Sequence, residues 1–258
     1  MAGATLASMA ELLIFGLGEL GKLYGAGALG AGFRVTPVLR STPIEPIWST
    51  LPAGVPLLIA VSEPSLPAVL QALPASRFGD AILLQNEIFP SLWAHAPEAP
   101  TVMIPWLLKK KGLPQIVIRS TPVFGRHAAA VVAMHEALGL ESKVLESSIE
   151  LAHALAHKYT FILTINALGV WRDQSLGRWL DEDLPLVRDL ASEASSLASR
   201  LVETEIDTEI AIDATLEGMQ AMQAISARGR SATIRVTRAQ NEAKRLGLAL
   251  PLLSQIGV

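Results

Sequence analysis

From residue 11 to about 125 the chain is a series of short apolar runs broken by glycine and proline. The runs at 12–16 (LLIFG), 33–39 (FRVTPVL), 56–62 (PLLIAVS) and 80–86 (DAILLQN) are strand-length and rich in Leu, Ile and Val. They recur roughly every 20 to 25 residues, the spacing of strand–helix–strand units. Their apolar residues are continuous rather than alternating, which suits strands covered on both faces. The segment 101–125 (TVMIPWLLKKKGLPQIVIRSTPVFG) predicts two further strands, joined by a turn at Lys109, Lys110, Lys111 and Gly112. The expectation for this half is a doubly wound α/β layer.

Past Arg126 the apolar period becomes helical, and proline is confined to Pro185 and Pro251. The pattern predicts an amphipathic helix over 128–140 that ends at Gly139. A long, mostly buried helix follows over 147–171, capped by Ser147 or Ser148. The stretch 181–203 (DEDLPLVRDLASEASSLASRLVE) predicts a helix with acids in its first turn and an apolar stripe. Helical patterns at 206–226 and 231–251 complete an all-α second half. The division falls at 125/126: an N-terminal domain over 1–125 and a helical domain over 126–258.

The strongest local signal is Gly16-x-Gly18-x-x-Gly21, directly after the apolar run and directly before a helical segment. In that context each glycine has a task. Gly16 permits the tight turn, Gly18 lets the backbone approach a pyrophosphate, and Gly21 lets the helix pack against the sheet. The helix N-terminus adds free N–H groups and partial positive charge. At the end of the second strand, where an acid would bind the ribose hydroxyls of NAD, stand Arg40, Ser41 and Thr42. A guanidinium pairs bidentately with a 2′-phosphate, so the expected cofactor is NADP(H).

Composition narrows the picture. Half of the 258 residues are hydrophobic and 17% are charged. The longest uncharged apolar stretches, 55–61 and 159–171, are shorter than the ~18 to 20 residues of a spanning helix. The first ten residues carry no Lys or Arg, which argues against a secretory signal and for a disordered lead-in. With no cysteine, thiol chemistry and thiolate metal sites are excluded, and a cytoplasmic location is the expectation. A net charge of −3 with mixed signs argues against nucleic acid as a partner. The apolar composition leaves room for a homodimer interface. His153 and His157 are spaced i, i+4, but no third ligand accompanies them, and no metal site is expected. Trp171, Trp179, Met219 and Met222 read as packing residues.

Taken together, these motifs resemble the ketopantoate reductase (2-dehydropantoate 2-reductase) family over about residues 11 to 255. The segment 33–41 (FRVTPVLRS) is similar to the family's second strand, which ends in an NADP-binding Arg. AILLQNE at 81–87 is similar to its L-Q-N-G strand end, and KYTFILTINALG at 158–169 to its long helix. The C-terminal ARGRSATIR and AQNEAKRLGLALP are similar to the family's ending. The resemblance implies a Rossmann-type N-terminal domain and an all-α C-terminal domain like that of 6-phosphogluconate dehydrogenase. It implies NADPH-dependent reduction of a small carbonyl compound, a 2-oxo acid or a related ketone or imine. Lys158 would be the general acid, and Asn166, Asn86 and Thr233 would face the substrate. Cofactor contacts would come from Gly16, Gly18, Glu19, Leu20, Gly21, Arg40, Ser41, Thr42, Val61 and Asn86.

The chain also departs from the family pattern. Ile162 replaces an Asn, Thr233 replaces the substrate-binding Glu, Arg235 replaces an Asp, and no Ser occurs in Gly218–Met222. Glu63 and Glu87 place negative charge at strand ends and would disfavour a carboxylate substrate. The link between the second and third strands is short, so one strand of the usual domain is expected to be missing. The active site is expected between the two domains. The competing reading is a catalytically silent NADP(H)-binding protein with a sensing or assembly role.

Overall fold

The computed structural model describes residues 10–84, 86–112 and 114–257, so most of the expected lead-in lies outside the described residues. The chain forms two compact units. The first runs up to Pro105 and adds Lys109–Pro114 and Ser120–Leu145. The second comprises Trp106–Leu108, Gln115–Arg119 and the chain from Glu146 onward.

The first unit is the predicted α/β layer. Its elements are β1 (Glu11–Phe15), α1 (Glu19–Gly30), β2 (Arg34–Val38), α2 (Glu45–Thr50), β3 (Leu57–Ile59), α3 (Leu66–Ala72), β4 (Ala81–Leu83) and β5 (Thr101–Met103). A two-stranded hairpin, β6 (Leu107–Leu108) and β7 (Ile116–Val117), belongs to the second unit. The chain then returns to the first unit as β8 (Thr121–Phe124), α4 (Ala128–Ala137) and β9 (Ser142–Val144). The sheet order is β2-β1-β3-β4-β5-β8-β9, parallel throughout except for the antiparallel β5–β8 pair. The segment 101–125 therefore holds four short strands where two were expected, because Pro105, Pro114 and the polar pair Arg119-Ser120 interrupt the apolar run. The lysine run forms the turn between β6 and β7, with Gly112 at positive φ.

Leu12, Ile14, Leu58, Ile82, Met103 and Val123 form the core of one sheet face, with Tyr24 and Ala28 of α1 and Val131 and Met134 of α4. Glycine makes this packing close. A Cβ on Gly27 would lie 2.6 Å from the Met134 carbonyl oxygen. Segment 128–145 thus packs on the sheet, not among the helices. Between β2 and β3 the chain carries α2 and no strand, so β2 is the sheet edge, as the short link implied. The β2-β1-β3 order puts a topological switch point between β1 and β3, where open α/β sheets hold ligands beyond the strand carboxyl ends.

The second unit is built on α5 (Ser148–Trp171), which packs against α7 (Leu184–Leu201), α8 (Thr208–Ala221) and α9 (Ala232–Leu246). Ser147 caps α5, its hydroxyl accepting from the Glu150 N–H. Asp207 caps α8 in the same way. The helix expected over 181–203 is broken. Asp181 and Glu182 end α6 (Leu176–Glu182), Asp183 links the two helices, and α7 has no acid in its first turn. Pro185 explains the break, because proline lacks the N–H a continuous helix would need and is tolerated only in a first turn. Gly247, at φ 66°, ends α9, and α10 (Pro251–Gln255) follows. Among the described residues, no helix is long and apolar enough to cross a membrane.

Candidate active site

Two constellations bring polar and charged groups together, one in each unit. In the first unit the ends of β1, β2 and β3 line a cavity of about 510 Å³. Its polar rim includes Gly16, Gly18, Arg40, Thr42, Ser62 and Ser65, and Val61, Val69 and Ile44 give it aliphatic walls. The glycines occupy the positions their motif requires. Gly16 has φ 87°, a left-handed conformation. A Cβ on Gly21 would lie 2.0 Å from the Gly16 carbonyl oxygen, so α1 sits directly on the turn. A Cβ on Gly18 would meet nothing within 4 Å. Gly18 is the N-cap of α1, and its carbonyl accepts from the Lys22 N–H. The N–H groups of Glu19, Leu20 and Gly21, in the first turn, have no partner inside the helix. This open cradle at a helix N-terminus fits a pyrophosphate.

At the end of β2 a tight turn fixes the next polar groups. The Leu39 N–H donates to the Thr42 hydroxyl, and the Thr42 N–H donates to the Leu39 carbonyl. Arg40 and Ser41 form the tip of this turn, both exposed. Asn86 and Glu87 lie just past β4, half-buried, and Glu63 lies just past β3.

The second constellation surrounds Lys158, which is 4% exposed on α5. Its Nζ lies 4.6 Å from the centre of the Trp106 ring and 5.2 Å from that of Phe161. The Arg119 guanidinium lies 4.7 Å from the centre of the same indole. Arg119 forms an ion pair with Glu217 of α8. Burial first, then the positive charges of Arg235 and Arg119, lowers the Lys158 pKa to about 7. The aromatic faces offset part of the cost of holding an ammonium there. Two turns along α5, buried Asn166 donates through Nδ2 to the Ile162 carbonyl at 2.5 Å. Its Oδ1 is buried without a partner.

Trp106 and Arg119, one at each end of the hairpin, join Lys158 in this cluster although the sequence pattern did not single them out. The only signal was an aromatic and a cation bracketing the lysine turn. Thr233 is exposed on α9. Gly218 packs against Phe161, and a Cβ there would lie 2.7 Å from the ring. His153 and His157 stack with ring centres 6.4 Å apart, and burial first, then His153 and Arg119, lowers His157 to about 4. Among the described residues, no group of three or more His, Cys, Asp and Glu side chains could hold a metal ion. Trp179, Met219 and Met222 are buried as expected, whereas Trp171, at the end of α5, is 41% exposed.

No family model matches the sequence. No curated protein matches it either. Solved structures do. A PanE/ApbA family ketopantoate reductase from Ralstonia eutropha superposes with a TM-score of 0.68 at 15% identity, over 95% of each chain. D-Mandelate dehydrogenase with NADH and anilino(oxo)acetate gives 0.68 at 14% identity, over 95% of this chain and 96% of that one. A dimeric ketopantoate reductase from Staphylococcus aureus gives 0.63 at 15% identity, over 95% and 96%. The chain thus has the fold of ketopantoate reductases and D-mandelate dehydrogenase, the α/β sheet plus helical region expected from its sequence.

Proposed function

We propose that this chain is a divergent reductase of the ketopantoate reductase type that uses NADPH to reduce a small carbonyl or imine compound. Lys158 is its general acid. The observation that carries this reading is the buried Lys158 ammonium, poised near neutrality on the Trp106 ring. A proton donor works best when its pKa lies near the working pH. NADPH supplies the hydride. Gly18 and the first turn of α1 hold its pyrophosphate, and Arg40 with Ser41 and Thr42 holds the 2′-phosphate. Val61 and Asn86 complete the cofactor contacts, and Asn166 and Asn86 face the substrate. Lys158 gives its Nζ proton to the carbonyl oxygen as the carbon is reduced.

The first unit serves the cofactor, and the second, with Asn86 of the first, the substrate. A homodimer is the proposed assembly, by analogy with the dimeric Staphylococcus aureus reductase. Arg40→Ala tests the cofactor assignment. It is expected to weaken NADPH by about 1.5 to 3 kcal/mol, the worth of hydrogen bonds to a charged group, and NADH far less. Calorimetric titration with both cofactors reads this, and equal losses would refute the assignment.

One observation favours the silent-binder reading. The positions that bear the substrate Glu and Ser in the family are here an exposed Thr233 and a stretch opened by Gly218, which is pressed against Phe161. The same observation predicts ketopantoate to be a poor substrate. Two missing hydrogen bonds, at roughly 1.5 to 3 kcal/mol each, correspond to at least about 10²-fold in kcat/KM. Steady-state assays beside smaller 2-oxo acids decide it, and efficient ketopantoate turnover would overturn this prediction.

A further inference from the structure

Resting on the reductase reading, we infer that Arg119 is a specificity-determining residue that anchors an anionic group of the substrate beside Lys158. The geometry is that of two cations on one indole: Lys158 Nζ at 4.6 Å and Arg119 Cζ at 4.7 Å from the Trp106 ring centre. Trp106 is 2% exposed, so this ring is a rigid platform for both.

Arg119 is not spent on its ion pair. Its partner Glu217 approaches through Nη2, and the Nε–H is buried with no hydrogen-bond partner. A buried guanidinium N–H left unpaired is costly, and a carboxylate oxygen accepting from Nε–H would satisfy it. Charge points the same way. The charged groups that perturb Lys158 are Arg235 and Arg119, both cations, with no carboxylate among them. Bringing an anion to such a cluster is favourable, whereas a neutral carbonyl leaves the repulsion intact. Glu63 and Glu87 had suggested the opposite preference, but they stand at strand ends of the first unit, whereas the charges that act on the proton donor itself are those of Arg235 and Arg119.

The Arg also explains how a chain with Thr233 in place of an acid and no Ser in Gly218–Met222 can still orient a substrate. The anchor has moved to the hairpin that the first half of the chain contributes to the helical unit. The substrate is then a 2-oxo acid, the class the family resemblance already implies, with its carboxylate held by Arg119 rather than by the Glu and Ser positions.

The test compares Arg119→Met, which keeps the aliphatic stem over Trp106, with Arg119→Lys, which restores a charge. Two readouts are used: NADPH-dependent turnover of pyruvate against the neutral ketone butanone, and calorimetric binding of oxamate against neutral oxamide, with NADP⁺ present. Circular dichroism and NADPH affinity verify folding of each variant. Arg119→Met is expected to raise KM for pyruvate and Kd for oxamate about 10- to 100-fold. Arg119→Lys should recover part of the loss. Unchanged pyruvate KM and oxamate Kd in Arg119→Met overturn the proposal. So does a wild-type preference for butanone, which leaves the reductase reading standing. Oxamate binding that needs Arg119, without turnover of either substrate, sinks the reductase reading and leaves the anion site. Neither binding nor turnover in the wild type refutes both.

Discussion

Lys158→Met is expected to lower NADPH-dependent turnover by about 10²- to 10⁴-fold while making the folded protein more stable at neutral pH. Both effects have one cause. Lys158 is almost wholly buried, and its pKa is lowered to about 7 by burial first, then by Arg235 and Arg119. In the unfolded chain the pKa is near 10.4. Between these values the unfolded chain keeps a proton that the folded chain has released. The contribution of Lys158 to stability therefore rises with pH from about 7 to about 10.4 and is flat below 7, where both states hold its proton. The penalty below pH 7 is on the order of 5 kcal/mol, since each tenfold loss of proton affinity is worth about 1.4 kcal/mol. Methionine fills a similar volume without a charge, so Lys158→Met should recover a few kcal/mol at pH 6 to 7 and flatten the rise. Urea unfolding at several pH values measures it. A variant less stable than wild type at pH 6, with the pH slope retained, would show that the lysine is satisfied where it sits. Catalysis has the opposite sign. The acid must carry its proton, so reductive kcat/KM should fall as pH rises through about 7.

Gly18→Val should abolish dinucleotide binding at little cost to the fold, and Gly21→Val should do the reverse damage. A Cβ on Gly18 meets nothing within 4 Å and its φ is −68°, so a side chain is sterically acceptable there. That open space lines the cavity, and an isopropyl group would occupy the place of a pyrophosphate. A loss of at least about 10²-fold in NADPH affinity is expected, with the melting temperature within a few degrees of wild type. At Gly21 the new Cβ would lie 2.0 Å from a backbone oxygen, which no rotamer relieves. Overpacking against backbone costs at least roughly 1 to 3 kcal/mol, so Gly21→Val should unfold early. If the Gly18 variant binds NADPH as wild type does, the glycine turn is not the phosphate site.

The legible parts of this protein were those governed by local rules. Gly16-x-Gly18-x-x-Gly21 needed only its flanking strand and helix to be read, and the structure puts Gly16 in a left-handed turn with Gly21 packed directly on it. The cap at Ser147 and the stop at Gly139 are local in the same sense. What escaped was set by distant contacts. Leu107–Leu108 and Ile116–Val117 are two residues each, too short for periodicity to register, and nothing near Trp106 in sequence announces that its ring meets Lys158 of α5. The apolar run 128–140 is helical either way. Only the close approach of α1 at Gly27 shows that it packs on the sheet. The break at Asp183 was legible in Pro185, but the acids at 181–183 read as the first turn of one helix.

Hydride transfer from NADPH with a proton from Lys158 is the reaction proposed for this chain. The most direct measurement follows deuterium from each face of [4-²H]NADPH into the products of small 2-oxo acids and neutral carbonyl compounds, in the wild type and in Lys158→Met. The account predicts deuterium on the new carbinol carbon from one face of the nicotinamide only, with the rate cut by about 10²- to 10⁴-fold in the variant. Tight NADPH binding with no deuterium transferred to any carbonyl, or transfer at the same rate without Lys158, would contradict it.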